Sequence, residues 1–412
     1  MSDRHEMLFV APHYLLPADV GGKIRTGHVL RGLKGGAFRV TLVSPAPSGA
    51  AERDSGELAQ LCDRFAGWPE KERGPYFNIT RLRHLGSRLP ISVIGDFSRA
   101  GRALIASELR RRPDVMVVDF PHTAILVPPN CNTRTVLFAH NVEAEIFGRH
   151  SRIAGNPVRQ AIWRNQWKKM QRFERETLGK FDAVIAVSDR DRMQLQEAYG
   201  VDAAVIPTGV DLDFFGFRPQ IRDAENLNIV FTASMDYYPN IDGIQWFMDE
   251  CWPDIARAEP RATVTVVGRN PDPRLLRTAA GRKLPWTFTG FVDDVRSYVY
   301  NSTVYVIPLR VGGGTRIKAY EAMAMGRPVV STAIGIEGLP VEADHHYLLG
   351  DTGPSFAASV VKLLHDADLC ARITTEARSL VERRFSARIV AEVFESICLG
   401  ELDECHVRRQ SS

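Results

Sequence analysis

Residues 304–331 read Val-Tyr-Val-Ile-Pro-Leu-Arg-Val-Gly-Gly-Gly-Thr-Arg-Ile-Lys-Ala-Tyr-Glu-Ala-Met-Ala-Met-Gly-Arg-Pro-Val-Val-Ser, and no other stretch constrains the fold as tightly. The first residues form a short apolar, β-branched run of the kind that fills a strand buried on both faces, and Pro328-Val329-Val330-Ser331 is another. The spacing between them predicts a helix over residues 317–325. That segment is rich in Ala, Met and Glu, follows three glycines and a threonine, and stops at Gly326 ahead of Pro328. Strand, glycine loop, helix and strand follow one another, as in a parallel α/β sheet.

A glycine run between a parallel strand and a helix lets the backbone approach an anion, and the free amide N–H groups at the helix start point toward it. Arg316 and Lys318 sit at that helix start, where a cation opposes the helix dipole unless something negative binds there. Glu321, one turn on, is a carboxylate able to accept hydrogen bonds from sugar hydroxyls. Taken alone, the glycines are equally compatible with a flexible loop before a solvated Arg/Lys/Glu helix start. Glycines, Thr315, Arg316, Lys318 and Glu321 together favour a phosphate cradle.

The 412 residues are 44% hydrophobic and 25% charged, which excludes a disordered or collagen-like chain and suits two domains with a core each. No apolar stretch of signal-peptide length follows Met1, and no run approaches the roughly 18 apolar residues of a membrane span, so a cytoplasmic protein is expected. The six cysteines are scattered without Cys-x-x-Cys or His at ligand spacing, which favours thiols over disulfides or zinc. No resident metal or cofactor is expected. A net charge of +3 gives no reason to expect a nucleic-acid partner.

The chain opens with a strand over residues 7–11, a loop carrying Gly21-Gly22, a helix over residues 23–34 and a second strand over residues 39–44. There is no Gly-x-Gly-x-x-Gly, and no acidic residue closes the second strand, which argues against a dinucleotide site. A tight turn with no ligand is the alternative account of Gly22. Residues 52–113 show weaker periodicity, with Pro, Gly and scattered arginines. Strands over residues 115–119 and 135–139 then end in polar groups, Asp119 with His122 and His140-Asn141-Val142-Glu143. Ligands bind beyond the carboxyl ends of such strands, which is where His140 falls.

A long helix is predicted over residues 156–180, with Val158, Ile162, Trp167, Met170 and Phe173 on its apolar side. Arg159, Arg164, Lys168, Lys169, Arg172 and Arg175 lie on the polar side. Two readings fit it: a core-packing helix with a solvated basic face, or a helix lying on an anionic membrane surface. A strand over residues 182–187 follows. Residues 211–228 are charged and proline-punctuated and are expected to link the halves. The second half predicts strands over residues 229–233, 263–267, 286–289, 304–307 and 329–332, alternating with helices that include residues 241–257. Three helices end the chain. Residues 1–210 and 229–384 thus form two domains, with a final helix over residues 385–405 and a disordered tail at 406–412.

The string Gly-Gly-Gly-Thr-Arg-x-Lys-x-x-Glu-Ala-Met-Ala-x-Gly-x-Pro-Val-Val resembles the signature of the family-4 retaining glycosyltransferases (group 1). Gly21-Gly22, His140-Asn141-Val142-Glu143, Val187-Ser188, residues 206–211, Gly268, Gly290-Phe291-Val292 and Phe385-Ser386 are similar to the same family in order. Gly313 stands where the parent family has its first motif glutamate, and Thr208 where Asn is usual. The loop over residues 234–242 lacks the Arg and Lys that many members use to hold a diphosphate. The resemblance implies a GT-B fold, α/β, with two Rossmann-like doubly wound parallel-sheet domains facing across a cleft. It implies transfer of a sugar from a nucleoside-diphosphate sugar to a glycan or lipid-linked acceptor, with retention, in exopolysaccharide or envelope-glycan synthesis. A retaining hexosyltransferase working at the inner face of the membrane is expected.

By the same resemblance Glu321 takes the ribose hydroxyls, Phe291 and Val292 line the base through their backbone, and Gly313, Gly314, Thr315, Arg316 and Lys318 hold the diphosphate and sugar. Gly22 lies against the diphosphate or the acceptor, and His140 faces the donor sugar and its β-phosphate. His140, Arg316 and Lys318 are the catalytic candidates. Leaving-group charge on the diphosphate is what fixed cations and N–H groups stabilise, and front-face attack needs no glycosidase-like carboxylate pair. An epimerase on the same scaffold, or a non-catalytic partner subunit, would use the same phosphate-binding parts. Asp189-Arg190-Asp191 and Asp211-Leu212-Asp213 match a metal-binding Asp-x-Asp only superficially and read as a helix start and a turn.

Overall fold

The computed structural model describes residues 4–18, 21–70, 83–129, 131–153, 156–206, 209–219, 227–311 and 316–401. The chain divides into two compact units, Met1–Gly209 with Ala387–Ser412, and Val210–Ser386.

In the first unit the described residues form a seven-stranded sheet of β1 (His5–Val10), β2 (Phe38–Ala46), β3 (Arg64–Pro69), β4 (Val115–Asp119), β5 (Arg134–Ala139), β6 (Ala183–Ala186) and β7 (Ala204–Val205). Every pairing is parallel and the order is 3-2-1-4-5-6-7, with Met7 opposite Val40 on one side and Val115 on the other. Successive β1 residues serve opposite faces. Met7 and Phe9 pack with Val29, Leu30 and Leu33 of the Gly21–Leu33 helix and with Val390, Phe394 and Ile397 of the last helix, Ala387–Leu399. Leu8 and Val10 pack with Ile105, Leu178 and Leu195 on the other face. Two covered faces explain why these strands are apolar throughout rather than alternating.

The last helix is locked into this unit by close packing and by its carbonyl end. A Cβ on Gly32 would lie 2.7 Å from Ala391 Cβ and would run into the Ala387 carbonyl. Ala37 N donates to Glu395 Oε1 at 2.8 Å, and Arg134 Nε donates to the Cys398 carbonyl at 2.9 Å.

The second unit carries β8 (Asn228–Thr232), β9 (Thr263–Val267), β10 (Trp286–Phe288), β11 (Val304–Ile307), β12 (Val329–Ser331) and β13 (Leu348–Leu349), parallel and in the order 10-9-8-11-12-13. Ile229 and Phe231 pack under Ile244, Phe247 and Phe356, while Val230 and Tyr305 pack under Ala319, Tyr320 and Met323. Phe215, from the stretch expected to link the halves, is buried in this second core, as is Val210, expected at the end of the first domain.

The helix predicted over residues 241–257 runs as Tyr238–Trp246, a π turn Phe247–Cys251 and Trp252–Ala258. Pro253 explains the π turn: it has no N–H to donate and its ring crowds the carbonyl four residues back, so the backbone widens there. β3, β13 and the Pro273–Gly281 helix are elements that periodicity missed. The long helix of the first unit, Pro157–Leu178, differs from its expected face. Val158 is 68% exposed, and the side that packs carries Gln166, Lys169, Met170, Phe173 and Glu174. Lys169, expected on the solvated face, is buried and donates to the Leu85 carbonyl. Glu174 accepts from the backbone N–H groups of Glu143 and Ala144 and from the Tyr199 hydroxyl. No helix among the described residues is long and apolar enough to cross a membrane.

Candidate functional site

Each sheet reverses its strand order once, between β1 and β4 in the first unit and between β8 and β11 in the second. Ligands of open α/β sheets bind outside the carboxyl ends of the strands at such switch points. The described candidate residues fall on both units: Gly22 and His140 on the first, and Phe291, Val292, Arg316, Lys318 and Glu321 on the second.

In the second unit the Ile317–Ala324 helix begins beyond the carboxyl end of β11. Gly313, Gly314 and Thr315 lie outside the described residues. Lys318 and Glu321, three residues apart, share one face of this helix. The Lys318 ammonium lies 5.6 Å from the centroid of the Phe231 ring. Burial brings its pKa down to about 8, with Glu321 opposing the shift. Burial likewise pushes Glu321 up to about 7 against the pull of Lys318. Among the described residues neither side chain forms an ion pair. A cation and a carboxylate are thus held half-buried at the switch point, each with its charged form made costly until a ligand or a proton compensates it.

Arg316 departs from its expected placement. It is the cap residue ahead of the helix, with φ −85° and ψ 56°, and is only 8% exposed. Its Nε donates to the Ile334 carbonyl at 3.2 Å, so the guanidinium secures the Ile334–Ile336 turn that follows β12. An irregular turn leaves carbonyls without ladder partners, and a buried guanidinium supplies the donor. Phe291 is 74% exposed and Val292 packs on the core. Gly290, just before them, has φ +72° and accepts at its carbonyl from Gly268 N at 3.2 Å. A Cβ on Gly268 would run into the Ala233 carbonyl, so only glycine permits this crossing of the two strand ends.

Two arginines beside this switch point escaped sequence reasoning. Arg269, immediately after β9, donates to Ser234 Oγ at 2.9 Å and lies 3.7 Å from Asp236. It therefore supplies a cation to the loop that seemed to lack one. Arg310 grips Asp242 through both carboxylate oxygens, at 2.8 and 3.1 Å. Their position directly after strand ends was the signal available.

In the first unit His140 follows β5 and is 1% exposed. Its Nε2 lies 2.6 Å from Asp119 Oδ1 at the end of β4, and its Nδ1 lies 3.3 Å from Arg25. Thr26 Oγ1 donates to the other oxygen of Asp119 at 2.9 Å. Burial lowers the His140 pKa, with Asp119 opposing, so the ring is neutral with its proton on Nε2 and its Nδ1 lone pair turned to Arg25. Phe120 stacks on His140 with centroids 4.1 Å apart at 13°. Gly22 joins the same group, because a Cβ there would lie 2.6 Å from Phe120 Cζ. The tight approach of Gly22 to Phe120 is thus the local reason for the glycine. Both acidic pairs are local structure: Ser188 caps the Asp189–Tyr199 helix by accepting from Asp191 N, and Asp211 Oδ1 accepts from the N–H groups of Asp213 and Phe214.

Residues 21–214 match the family model described as Glycosyltransferase Family 4, and residues 226–366 the model described as Glycosyl transferases group 1. A phosphatidyl-myo-inositol mannosyltransferase of Mycobacterium leprae is 29% identical over 228 residues, spanning 52% of this chain and 59% of the relative. The structure of HepE of Anabaena in complex with UDP and glucose superposes with TM-score 0.65 at 14% identity, covering 97% of this chain and all of that one. TarM superposes with TM-score 0.68 at 11% identity, covering 96% of this chain and 99% of TarM. The chain therefore has the GT-B fold, carrying a family-4 glycosyltransferase domain in residues 21–214 and a group 1 glycosyltransferase domain in residues 226–366.

Proposed function

We propose that the protein is a glycosyltransferase that moves a hexose from a nucleoside-diphosphate sugar to a hydroxyl of a glycan or lipid-linked acceptor, with retention at the anomeric carbon, in exopolysaccharide or envelope-glycan assembly. The observation that carries this reading is the pairing of Lys318 and Glu321 on the helix that starts at the second switch point. A cation at the helix start suits a diphosphate, and a carboxylate one turn further suits ribose hydroxyls. Phe291 and Val292 follow the end of β10 at the sheet edge, and in this reading their backbone meets the base. His140 and Gly22 serve the first unit's side of the reaction. As the bond to the diphosphate breaks, negative charge grows on the leaving phosphate, and Lys318 with the helix N–H groups stabilises it. A leaving phosphate that accepts the acceptor's proton needs no separate base.

A screen of UDP-, GDP- and ADP-hexoses tests the reading, by thermal shift and by release of nucleoside diphosphate. One nucleotide should stabilise the protein and its sugar donor should be turned over, with the product keeping the donor's anomeric configuration. Binding of a nucleotide without turnover, alone or with an envelope-lipid extract, would favour a non-catalytic role, and a free epimeric sugar nucleotide would favour an epimerase.

Peripheral attachment to an anionic membrane belongs to the same reading. Arg159, Arg164, Lys168 and Arg172 are exposed along the Pro157–Leu178 helix beside exposed Val158. Each basic residue near an anionic surface contributes about 1 kcal/mol, so binding to phosphatidylglycerol vesicles should be salt-sensitive and exceed that to phosphatidylcholine vesicles. Equal partitioning to both would dismiss it.

A further inference from the structure

The aromatic stack of the first unit extends past His140. Phe120 also packs on His122, with centroids 5.2 Å apart at 27°. Phe120 has φ +65°, a backbone conformation that a bulky side chain adopts only where its surroundings enforce it, and such outliers gather at functional sites. The reversal there sends the chain into the Pro121–Leu126 turn and brings His122 to the Ile91–Asp96 helix. His122 Nδ1 lies 2.6 Å from Asp96 Oδ2, and the two side chains are 13% and 20% exposed. Nδ1 meets this carboxylate at ion-pair distance but outside hydrogen-bond geometry, so it is the charge of Asp96 that holds the ring in place, leaving Nε2 to act outward. Among the described residues Nε2 has no hydrogen-bond partner.

We infer that His122, oriented by Asp96, binds the sugar acceptor at the first unit's switch point, with Nε2 hydrogen-bonded to a ring or hydroxyl oxygen of an uncharged sugar. The inference rests on the transferase reading above and adds the acceptor side to it. The chemistry around His122 selects the class of ligand. Asp96, Asp119 and Glu143 face it as acids, His13 lies with its ring 6.5 Å away, and His13 in turn senses Lys23. Carboxylates predominate around the ring, which suits a neutral polyol better than a phosphate. The Phe120 ring adds an apolar surface beside hydrogen-bonding groups, the combination that a sugar's C–H face and hydroxyl edge require. Burial lowers the His122 pKa, but its contact with Asp96 and the negative charge of Asp96, Glu143 and Asp119 outweigh this and raise it. In the charged ring Nε2 is a donor.

The test compares wild type, His122→Gln and Asp96→Asn with the donor that the nucleotide screen identifies. Hydrolysis of the donor without acceptor reports the transferase machinery, and transfer to methyl α-D-glucopyranoside, methyl α-D-mannopyranoside and glucose 6-phosphate reports the acceptor side. For His122→Gln, transfer to a methyl glycoside should fall about tenfold through acceptor KM, as for loss of a hydrogen bond from a charged donor, with donor hydrolysis unchanged within about twofold. Asp96→Asn should move the alkaline limb of the transfer profile to lower pH, since Asp96 is what raises the His122 pKa, and a residue of purely structural importance would not do this. Equal loss of hydrolysis and transfer, unchanged transfer in His122→Gln, wild-type transfer to none of the neutral probes, or a His122-dependent preference for glucose 6-phosphate would each overturn the inference. Absence of donor turnover in the wild type would instead overturn the transferase reading on which it stands.

Discussion

His140 Nε2 lies 2.6 Å from Asp119 Oδ1, and this contact fixes which ring nitrogen carries the proton. The Nδ1 lone pair is thereby presented to Arg25, and the imidazole is an ordered dipole within a buried network. Both ring nitrogens are engaged, so the ring orients Arg25 and Phe120 around it.

Asp119→Asn tests that role. An amide cannot accept from Nε2–H and Thr26 as a carboxylate does, so the ring loses its fixed tautomer. Turnover should fall at least about tenfold, well short of the roughly 10⁴-fold expected where an imidazole is itself the proton-transfer group. Nucleotide affinity should hold, because Glu321 and Lys318 belong to the other unit. A loss of nucleotide affinity equal to the loss of turnover would contradict this.

Glu321 gives a pH dependence of definite sign. Its pKa is pushed up to about 7 by burial, so the carboxylate that accepts ribose hydroxyls forms as pH rises through that value. Nucleotide affinity should increase between pH 6 and pH 8, and calorimetry at both ends checks it. Glu321→Ala should weaken binding by about 1.5–3 kcal/mol, the range for hydrogen bonds to a charged group. Stability of the free protein should move oppositely. A carboxyl whose folded pKa lies above its unfolded value favours folding below the unfolded pKa and loses that contribution as pH rises through about 7. Glu321→Gln should flatten both dependences.

Gly32→Ala should destabilise the first unit. The new Cβ would meet Ala391 Cβ at 2.7 Å and the Ala387 carbonyl, so the last helix must move away from the Gly21–Leu33 helix. Overpacking of this kind costs about 1–3 kcal/mol. Thermal unfolding should show the loss, and Gly35→Ala is not its control, because the strain there comes from its positive φ.

These residues also show what the sequence makes legible. Central strands such as β4 and β11 are continuous apolar runs, so periodicity finds them. β3 contains Gly67 and ends on Pro69, features tolerated because it lies at the sheet edge, and they hide it from the same criterion. Lys318 and Glu321 are local to one helix, so their spacing alone brings them together. The pairing of His122 with Asp96, and of Arg269 with Ser234, joins residues far apart in the chain, and no local pattern encodes it. Val158 was misread because helical spacing gives a face only where a partner covers it, and the first turns of that helix are exposed.

The final prediction separates Lys318 from Arg316. Sequence alone treats them as one cationic pair, but the structure gives them different surroundings. Lys318 is half-buried over Phe231, its pKa brought down to about 8 by burial, and a diphosphate would return it to the charged form. Because charge on the leaving phosphate grows in the transition state, Lys318→Ala should lower turnover more than it weakens nucleotide binding. The loss should be on the order of 100-fold, as for removal of one charge-stabilising donor. Arg316 instead holds the Ile334 carbonyl, so Arg316→Ala should lower thermal stability as well as turnover. Arg316→Lys should restore it only in part, since an ammonium lacks the planar fork of donors. Measuring melting temperature, nucleotide affinity and single-turnover rate for the three variants distinguishes the roles. Near-normal turnover in a folded Lys318→Ala variant would show that the diphosphate is stabilised by other groups, with Arg269 the next to examine.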